Sequence, residues 1–529
     1  MSIERVIISN YRALKATEVV FDAEVNVVVG NNEAGKSTLL EAINLALKCQ
    51  LNRRNAQYEL HPFLINAEAI ADFVAAHKSG KPTAPPKATI EVFFRMADEV
   101  ADLVGSMNSR KADAPGITLT IKLDENFLPE YRAFVSDTDV LNSIPIELYE
   151  IEWMAFSGEP LTPQKIQLKS VLVDPSNSPN AYAANKYVLD IVRDYLTKSQ
   201  AGELSLAYRT MRDRFQEDTR ITALNEDLKG KQGVVSSKVL SVAMDTTTRS
   251  SWETGIMPHL DDIPFPLVGK GEQNSVKIKL AIEAAEKCGV ILIEEPENHL
   301  SHTNLGKLVS HLAERCKGRQ LIISTHSSFV LNRLGIDHVL MFNGRTAITL
   351  NHLDPKTKAY FQRLPGHDTL RLILAKRSIL VEGPSDDLIV QIGYRQRYGK
   401  LPLEDGVEVI SVGTSFSRFL EIAQHLKLDV DVVRDNDGDA AGKKAAFAKF
   451  ENEDTIHINI DDDDTARTLE PQLIKANGLP KMNQMLGIEF PDTDLLLEYC
   501  TNNKTEAALL LYERAKDLNI PKYIANAIR

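Results

Sequence analysis

Short apolar runs open the chain. Residues 3–8, 17–21 and 25–29 each read as a strand, the last β-branched and continuous enough to be buried. Residues 39–47 change to the helical period, with Leu and Ile on one face. Residues 67–74 look helical, 79–87 form a Gly/Pro/Lys loop, and strands resume at 88–94, 117–121 and 146–151. Residues 185–230 are charged and helical, with Tyr187, Val188, Ile191, Val192 and Tyr195 at helical spacing. They read as an inserted helical pair, either an arm packed on its own domain or a dimerisation element. A helix over 275–287 precedes an apolar strand at 290–295, and a further strand covers 320–326. From about residue 376 strands and helices alternate: strands at 378–381, 407–412, 430–434 and 455–460, with helices at 388–397 and 416–426 between. That alternation predicts a small parallel sheet. The expected architecture is α/β in two domains, 1–370 with the helical insertion and 371–529.

Composition narrows the class without naming it. The 529 residues are too many for one core, and 43% hydrophobic with 25% charged content is ordinary for a globular protein. The net charge of −12 argues against a uniformly basic nucleic-acid binder. Cys49, Cys288, Cys316 and Cys500 form no C-x-x-C pair, which suits a reducing compartment. With no apolar leader in the opening residues and no run long enough to span a bilayer, a cytoplasmic protein with no membrane partner is expected.

The first chemical motif is Gly30-Asn31-Asn32-Glu33-Ala34-Gly35-Lys36-Ser37-Thr38, a full match to G-x-x-x-x-G-K-[ST] between a strand and a helix. Backbone N–H groups of such a turn, backed by a helix N-terminus, make an anion site. Lys36 would sit on the β- and γ-phosphates of ATP and Ser37 on Mg²⁺. Downstream, Leu267-Val268-Gly269-Lys270-Gly271-Glu272-Gln273 opens a helix, and the strand 290–295 ends in Glu294 and Glu295. Glu294 can hold the Mg²⁺ water shell and Glu295 can polarise the attacking water. His326 stands at the carboxyl end of the next strand, where ligands bind in such sheets. Singly the acidic strand end and the histidine are common; their order and spacing, together with the phosphate loop, carry the argument.

In that order they resemble the ABC-type ATPases of the SMC, RecF and Rad50 group, whose opening N-[FY]-R segment is similar to Asn10-Tyr11-Arg12. The resemblance implies that Asn31, Asn32, Gly35, Lys36, Ser37 and Thr38 form Walker A, Glu294 and Glu295 Walker B, and His326 the switch histidine. Lys270, Gly271 and Gln273 would be a signature segment facing the nucleotide of another subunit, so at least a homodimer is implied. Lys270 stands where that group has a serine.

The second centre lies in the C-terminal part. Glu382-Gly383-Pro384-Ser385-Asp386 follows the strand at 378–381, and Asp435-Asn436-Asp437 follows the strand at 430–434. Acidic residues at the carboxyl ends of two parallel strands converge on one crevice. Carboxylates without His or Cys suit Mg²⁺ or Mn²⁺. An Asp-x-Asp loop alone is more often an Asx-rich turn; the Glu-Gly strand end ahead of it tips the reading to a metal site. The acidic run 461–464 reads instead as a solvated loop.

This pair of segments resembles the Toprim domain, and an ABC-type ATPase joined to a C-terminal Toprim domain resembles the OLD (overcoming lysogenization defect) nucleases, a family that includes the Gabija nuclease subunit. By that resemblance Glu382, Asp386, Asp435, Asp437 and Glu470 (in Thr468-Leu469-Glu470) hold two metals, and Lys504 is the lysine of the nuclease centre. The implied function is a nucleotide-controlled, metal-dependent DNA endonuclease in antiphage defence, with a helicase-like partner in some relatives. The competing expectation is an ATP-gated DNA-binding or repair sensor of the RecF/SMC type whose Toprim domain does not cut. Residues 376–529 carry 19 basic and 27 acidic side chains, net −8, so weak DNA binding is expected without divalent cations.

Overall fold

In a computed structural model of the chain, alternating side chains of β1 (Ile3–Tyr11) and β2 (Leu14–Val20) pack one apolar face inward, with Ile3, Val6, Ile8 and Leu14 fully buried. The structure describes all residues except 1, 32, 52–53, 139–140, 163–169, 174–187, 190–195, 230–237, 246–251, 285–288, 316–317, 343–344, 351–352 and 364–368. Asn32, Cys288, Cys316 and the stripe positions Tyr187, Ile191, Val192 and Tyr195 lie outside the described residues. Two compact units result: Met1–Val25 with Ser37–Ser324, and Asn26–Lys36 with Thr325–Arg529.

Among the described residues, the first unit has strands of two larger sheets beside two short two-stranded pairs at 50–55 and 259–264. In one, β1 pairs antiparallel with β2 and with a strand at Ala88–Phe94, which continues through Ala114–Leu123 to Tyr149–Ala155. In the other, strands Ser170–Val173, Val290–Glu294 and Gln320–Ser324 run parallel, and Glu294 lies opposite Ser324. Their cores are nearly all Ile, Leu and Val with no exposure, as strands covered on both faces require. Within the sequence-predicted insertion, helices Lys198–Gln216 and Thr219–Lys229 are described. Thr197 opens the first with a capping box closed by Gln200. Val188 packs with Phe265, Val276 and Leu280 of the same unit.

In the second unit, β3 (Val25–Val29) runs parallel to a strand at Val339–Phe342, Val28 facing Leu340, while Thr325 N donates to Val28 O at 3.2 Å. The C-terminal part is a four-stranded parallel sheet. For the strands used below, β4 is Arg377–Val381, β5 is Val407–Ser411, β6 is Val430–Arg434 and β7 is Ile456–Ile460; the order is β5-β4-β6-β7. The crossovers are α1 (Pro384–Tyr398) and α2 (Phe416–Leu426). The α/β class and the parallel C-terminal sheet expected from the sequence are observed.

A buried charge network fastens the last helix, Lys522–Ala527, to this sheet. Asp431, 1% exposed on β6, lies 3.2 Å from Arg529 Nε and 3.8 Å from Arg377 Nε. Arg377 also donates to the carbonyls of Arg529 at 2.7 Å and Ala527 at 3.0 Å. Asp431→Ala leaves Arg377 buried without its counter-charge, and removing one partner of such a pair typically costs about 3–5 kcal/mol. The denaturation midpoint of the purified protein should fall accordingly. A midpoint equal to wild type would contradict this account of how the helix is held.

Candidate functional site

The phosphate loop is folded on itself. Lys36, 6% exposed, donates from Nζ to the carbonyls of Gly30 at 2.9 Å and Asn31 at 3.0 Å. Gly35 turns the chain at φ +90°, a conformation glycine adopts without strain, just before the helix Lys36–Lys48 begins. Ser37 and Thr38 lie in that helix's first turn. Glu294 closes its strand, and Glu295 follows at φ +39° with its N–H on Ser324 O at 2.9 Å and its carboxylate accepting from Asn298 Nδ2 at 2.8 Å. His326 follows Thr325 in the segment beside β3. Lys270 is exposed at the head of the helix Lys270–Ala284, and Gly271 packs so closely that a Cβ there would lie 2.6 Å from the His299 carbonyl oxygen. Gln273 turns inward instead, 1% exposed, donating to Val268 O at 2.7 Å.

The carboxylates of the C-terminal sheet are set by its topology. Glu382 follows β4 and Asp435 follows β6, and the two strands are parallel neighbours, so both emerge at the same edge. Asp386 sits in the first turn of α1, 9% exposed, where its Oδ2 accepts from Gly383 N at 3.0 Å. Asp437 adopts φ +51°, tolerable for Asp, and its N–H binds Arg467 O at 3.0 Å. Glu470, 5% exposed, opens the helix Leu469–Asn477 and accepts from Thr468 Oγ1 at 2.6 Å. Lys504 Nζ reaches Glu470 Oε1 at 3.2 Å, so these two distant segments do meet.

Desolvation, then repulsion from its neighbours Asp386, Glu382 and Glu470, pushes the Asp435 carboxyl up to about 8. Burial likewise raises Asp386 to about 6, with Glu382 and Glu470 adding to it. Burial raises Glu382 too, against the opposing pull of Arg434. Four carboxylates therefore share one poorly solvated edge, a donor set whose chemistry fits Mg²⁺ or Mn²⁺. Among the described residues, however, no group of three or more His, Cys, Asp or Glu side chains is gathered as metal ligands. Arg434, Lys443 and Lys504 are paired with Glu382, Asp437 and Glu470 instead.

Three supporting residues escaped the sequence reading. Tyr523 Oη donates to Asp435 Oδ1 at 3.3 Å from the last helix, while Leu469 N donates to Oδ2 at 3.3 Å. Asn436, 2% exposed, donates to the carbonyls of Asp461 at 3.1 Å and Asp463 at 2.8 Å. Asp464 accepts from Ala440 N at 2.8 Å. The acidic run 461–464 is thus more than a solvated loop: it braces the loop carrying Asp435 and Asp437. No local spacing signals these contacts, because each joins segments about 25 to 90 residues apart.

Three family models match separate parts of the chain. An AAA ATPase domain model matches residues 1–125, an AAA domain model matches 159–332, and the "Overcoming lysogenization defect protein-like, TOPRIM domain" matches 373–437. The last covers Glu382, Asp386, Asp435 and Asp437. The chain has the domain architecture of an OLD-family nuclease. Shorter likenesses link it to RecF of Pasteurella multocida, 38% identical over 73 residues (13% of this chain, 20% of that protein), and to the Rad50 ATPase of Methanopyrus kandleri, 58% identical over 45 residues (8% and 5%). The chain thus spans a fifth or less of these curated relatives. Among solved structures, the SMC head domain from Thermotoga maritima aligns at 15% identity and TM-score 0.31, covering 66% of this chain and 99% of that one. The recombination mediator RecF with ATP aligns at 12% and 0.33, covering 66% and 99%. Among the described residues, no helix is long and apolar enough to cross a membrane.

The raised carboxyls set a pH dependence for the metal-free protein. An acid whose folded pKa exceeds its unfolded value binds its proton more tightly when folded. Stability is therefore full below about pH 4 at this group and is lost as pH rises towards the folded value of about 8. Asp435→Asn removes that loss. In EDTA at pH 8 the variant should be more stable than wild type, by about 1–3 kcal/mol after allowing for relaxation. Thermal melts at pH 5 and pH 8 test this, and a variant no more stable than wild type at pH 8 would refute it.

Proposed function

We propose that the chain is a DNA endonuclease controlled by ATP, in which the TOPRIM domain cuts and the P-loop domain sets when. The observation that carries this is the convergence of Glu382, Asp386, Asp435 and Glu470 on one edge of the parallel sheet, with Lys504 beside Glu470. Repulsion between buried carboxylates has no structural benefit of its own; it favours a site built to bind cations. Divalent cations bound there would activate water near neutral pH and offset charge on the phosphodiester. Glu382, Asp386, Asp435, Asp437 and Glu470 would hold them. Tyr523 and Leu469 N fix the orientation of Asp435, and Thr468 that of Glu470. Lys504, beside Glu470, would neutralise charge on the phosphate or on the departing oxygen.

At the nucleotide site, Gly35, Lys36, Ser37 and Thr38 would hold ATP and Mg²⁺, with Glu294, Glu295 and His326 serving hydrolysis. The carbonyls of Gly30 and Asn31 hold Lys36 until phosphates compete for it. A signature segment at Lys270–Gly271 from a second copy would complete that site, which makes a homodimer the working assembly. Antiphage defence, with or without a helicase-like partner, is the biological setting this architecture favours.

Plasmid cleavage with Mg²⁺ or Mn²⁺ tests the assignment. Glu382→Ala should lower nicking at least about 100-fold, the scale on which removing one electrostatic catalytic group acts; equal nicking by both proteins would reject a TOPRIM nuclease. Lys36→Ala should abolish ATP hydrolysis yet retain metal-dependent nicking. Should the folded Lys36 variant nick nothing, the P-loop would belong to the cutting chemistry itself.

A further inference from the structure

Of the five site carboxylates, three carry one basic side chain each and two carry none. Arg434 Nε donates to Glu382 Oε1 at 3.3 Å, Lys443 is ion-paired with Asp437, and Lys504 is paired with Glu470. Asp386 and Asp435 rest on backbone N–H groups and the Tyr523 hydroxyl instead. Lys443 also acts on Glu382, so these two cations offset both ends of the Glu382–Asp437 pair.

Arg434 is held for more than one bond. Its guanidinium carbon lies 5.5 Å from the ring centroids of both Phe416 and Phe447, so aromatic packing fixes the plane of the group. The side chain is only 14% exposed. A guanidinium offers five N–H donors in a rigid fork. Among the described residues Nε makes the hydrogen bond, to Glu382, and neither terminal nitrogen is buried without a partner. A fork at a fixed angle beside a carboxylate cluster matches the geometry of a phosphodiester better than that of a single carboxylate oxygen.

We propose that Arg434 and Lys443 are exchangeable counter-ions of this centre: without a divalent cation they neutralise Glu382 and Asp437, and when a cation takes those carboxylates they turn to a phosphate of a polynucleotide. The proposal rests on the reading of the carboxylates as a divalent-cation seat. It also makes two bindings help each other. A cation that claims Glu382 strands a largely buried guanidinium, which then gains from any anion. A phosphate that claims Arg434 strands a carboxylate, which then gains from a cation. Such coupling is reciprocal by linkage.

The test compares full-length wild type, Arg434→Gln, Lys443→Gln and Asp435→Asn. Mn²⁺ affinity is measured by calorimetry without nucleotide or DNA, and binding of a cleavage-resistant phosphorothioate duplex is measured in Mn²⁺ and in EDTA. Both Gln variants should bind Mn²⁺ about 3- to 10-fold more tightly than wild type, because a competing cation is gone. Mn²⁺ should raise wild-type affinity for the duplex about 10-fold but that of each Gln variant about 2-fold or less. Unchanged or weaker Mn²⁺ binding by the Gln variants overturns the proposal, as does a loss of duplex affinity equal in Mn²⁺ and EDTA, which marks a permanent phosphate contact. Lys443, on a short surface helix, keeps the test valid if Arg434→Gln misfolds. If Asp435→Asn takes up Mn²⁺ like wild type, the carboxylate seat itself is wrong, a failure separate from that of the exchange.

Discussion

Buried like charge is the constraint on which the C-terminal half depends. Two neighbouring parallel strands end at one edge, and each delivers a carboxylate there; the helix after β4 adds Asp386 and the helix after β7 adds Glu470. Left alone, such a cluster would either protonate or push its loops apart. The surrounding sequence reads as a response to that pressure. Asp386 is turned onto the N–H of Gly383, Asp435 onto Leu469 N and Tyr523, and Glu470 onto Thr468. Asn436 ties the loop between the acids to the 461–463 backbone, so repulsion cannot open it. Even the helix that brings Tyr523 is fastened by charge, through Arg377, Asp431 and Arg529.

The same economy appears in the phosphate loop with the sign reversed. Lys36 is nearly buried and occupied by two carbonyls of its own turn. In both places a charge is satisfied internally by nearby groups of the chain. A charge left bare would destabilise the fold more than a weak internal partner weakens later binding. Ligand-free stability and ligand affinity are thereby traded against each other at single residues.

What the sequence disclosed follows the same physics. Strand alternation, the Gly-rich turn and carboxylates at strand ends are local patterns, and the architecture they imply is the one observed. Glu470 and Lys504 were legible through family likeness, and they meet. The roles of Tyr523, Asn436 and Asp464 were not legible, because they act across segments whose juxtaposition only the folded sheet creates. The run 461–464 illustrates the limit. Four consecutive aspartates look like a solvated face, and Asp462 and Asp464 are indeed exposed, yet two carbonyls and one carboxylate of that run brace the site loop. Composition predicts the side chains' preference for water and says nothing of the backbone beneath them.

The placement of the TOPRIM sheet bears on how control could be physical. β3 and the phosphate loop belong to the same compact unit as the TOPRIM sheet, and packed side chains connect the intervening segments. Thr369 Oγ1 donates to Asn332 Oδ1 at 2.9 Å, Arg371 Nε donates to Glu408 Oε2 on β5 at 2.9 Å, and Phe361 lies edge-on to Phe419 on α2 at 5.2 Å. On α2, Phe419 lies three residues beyond Phe416, which packs on Arg434. A chain of packed groups is a route and not yet a switch, because transmission needs an element with two arrangements. Arg434, packed against Phe416 of α2 and paired with Glu382, is the group in this chain of contacts that the exchange proposed above would give two arrangements.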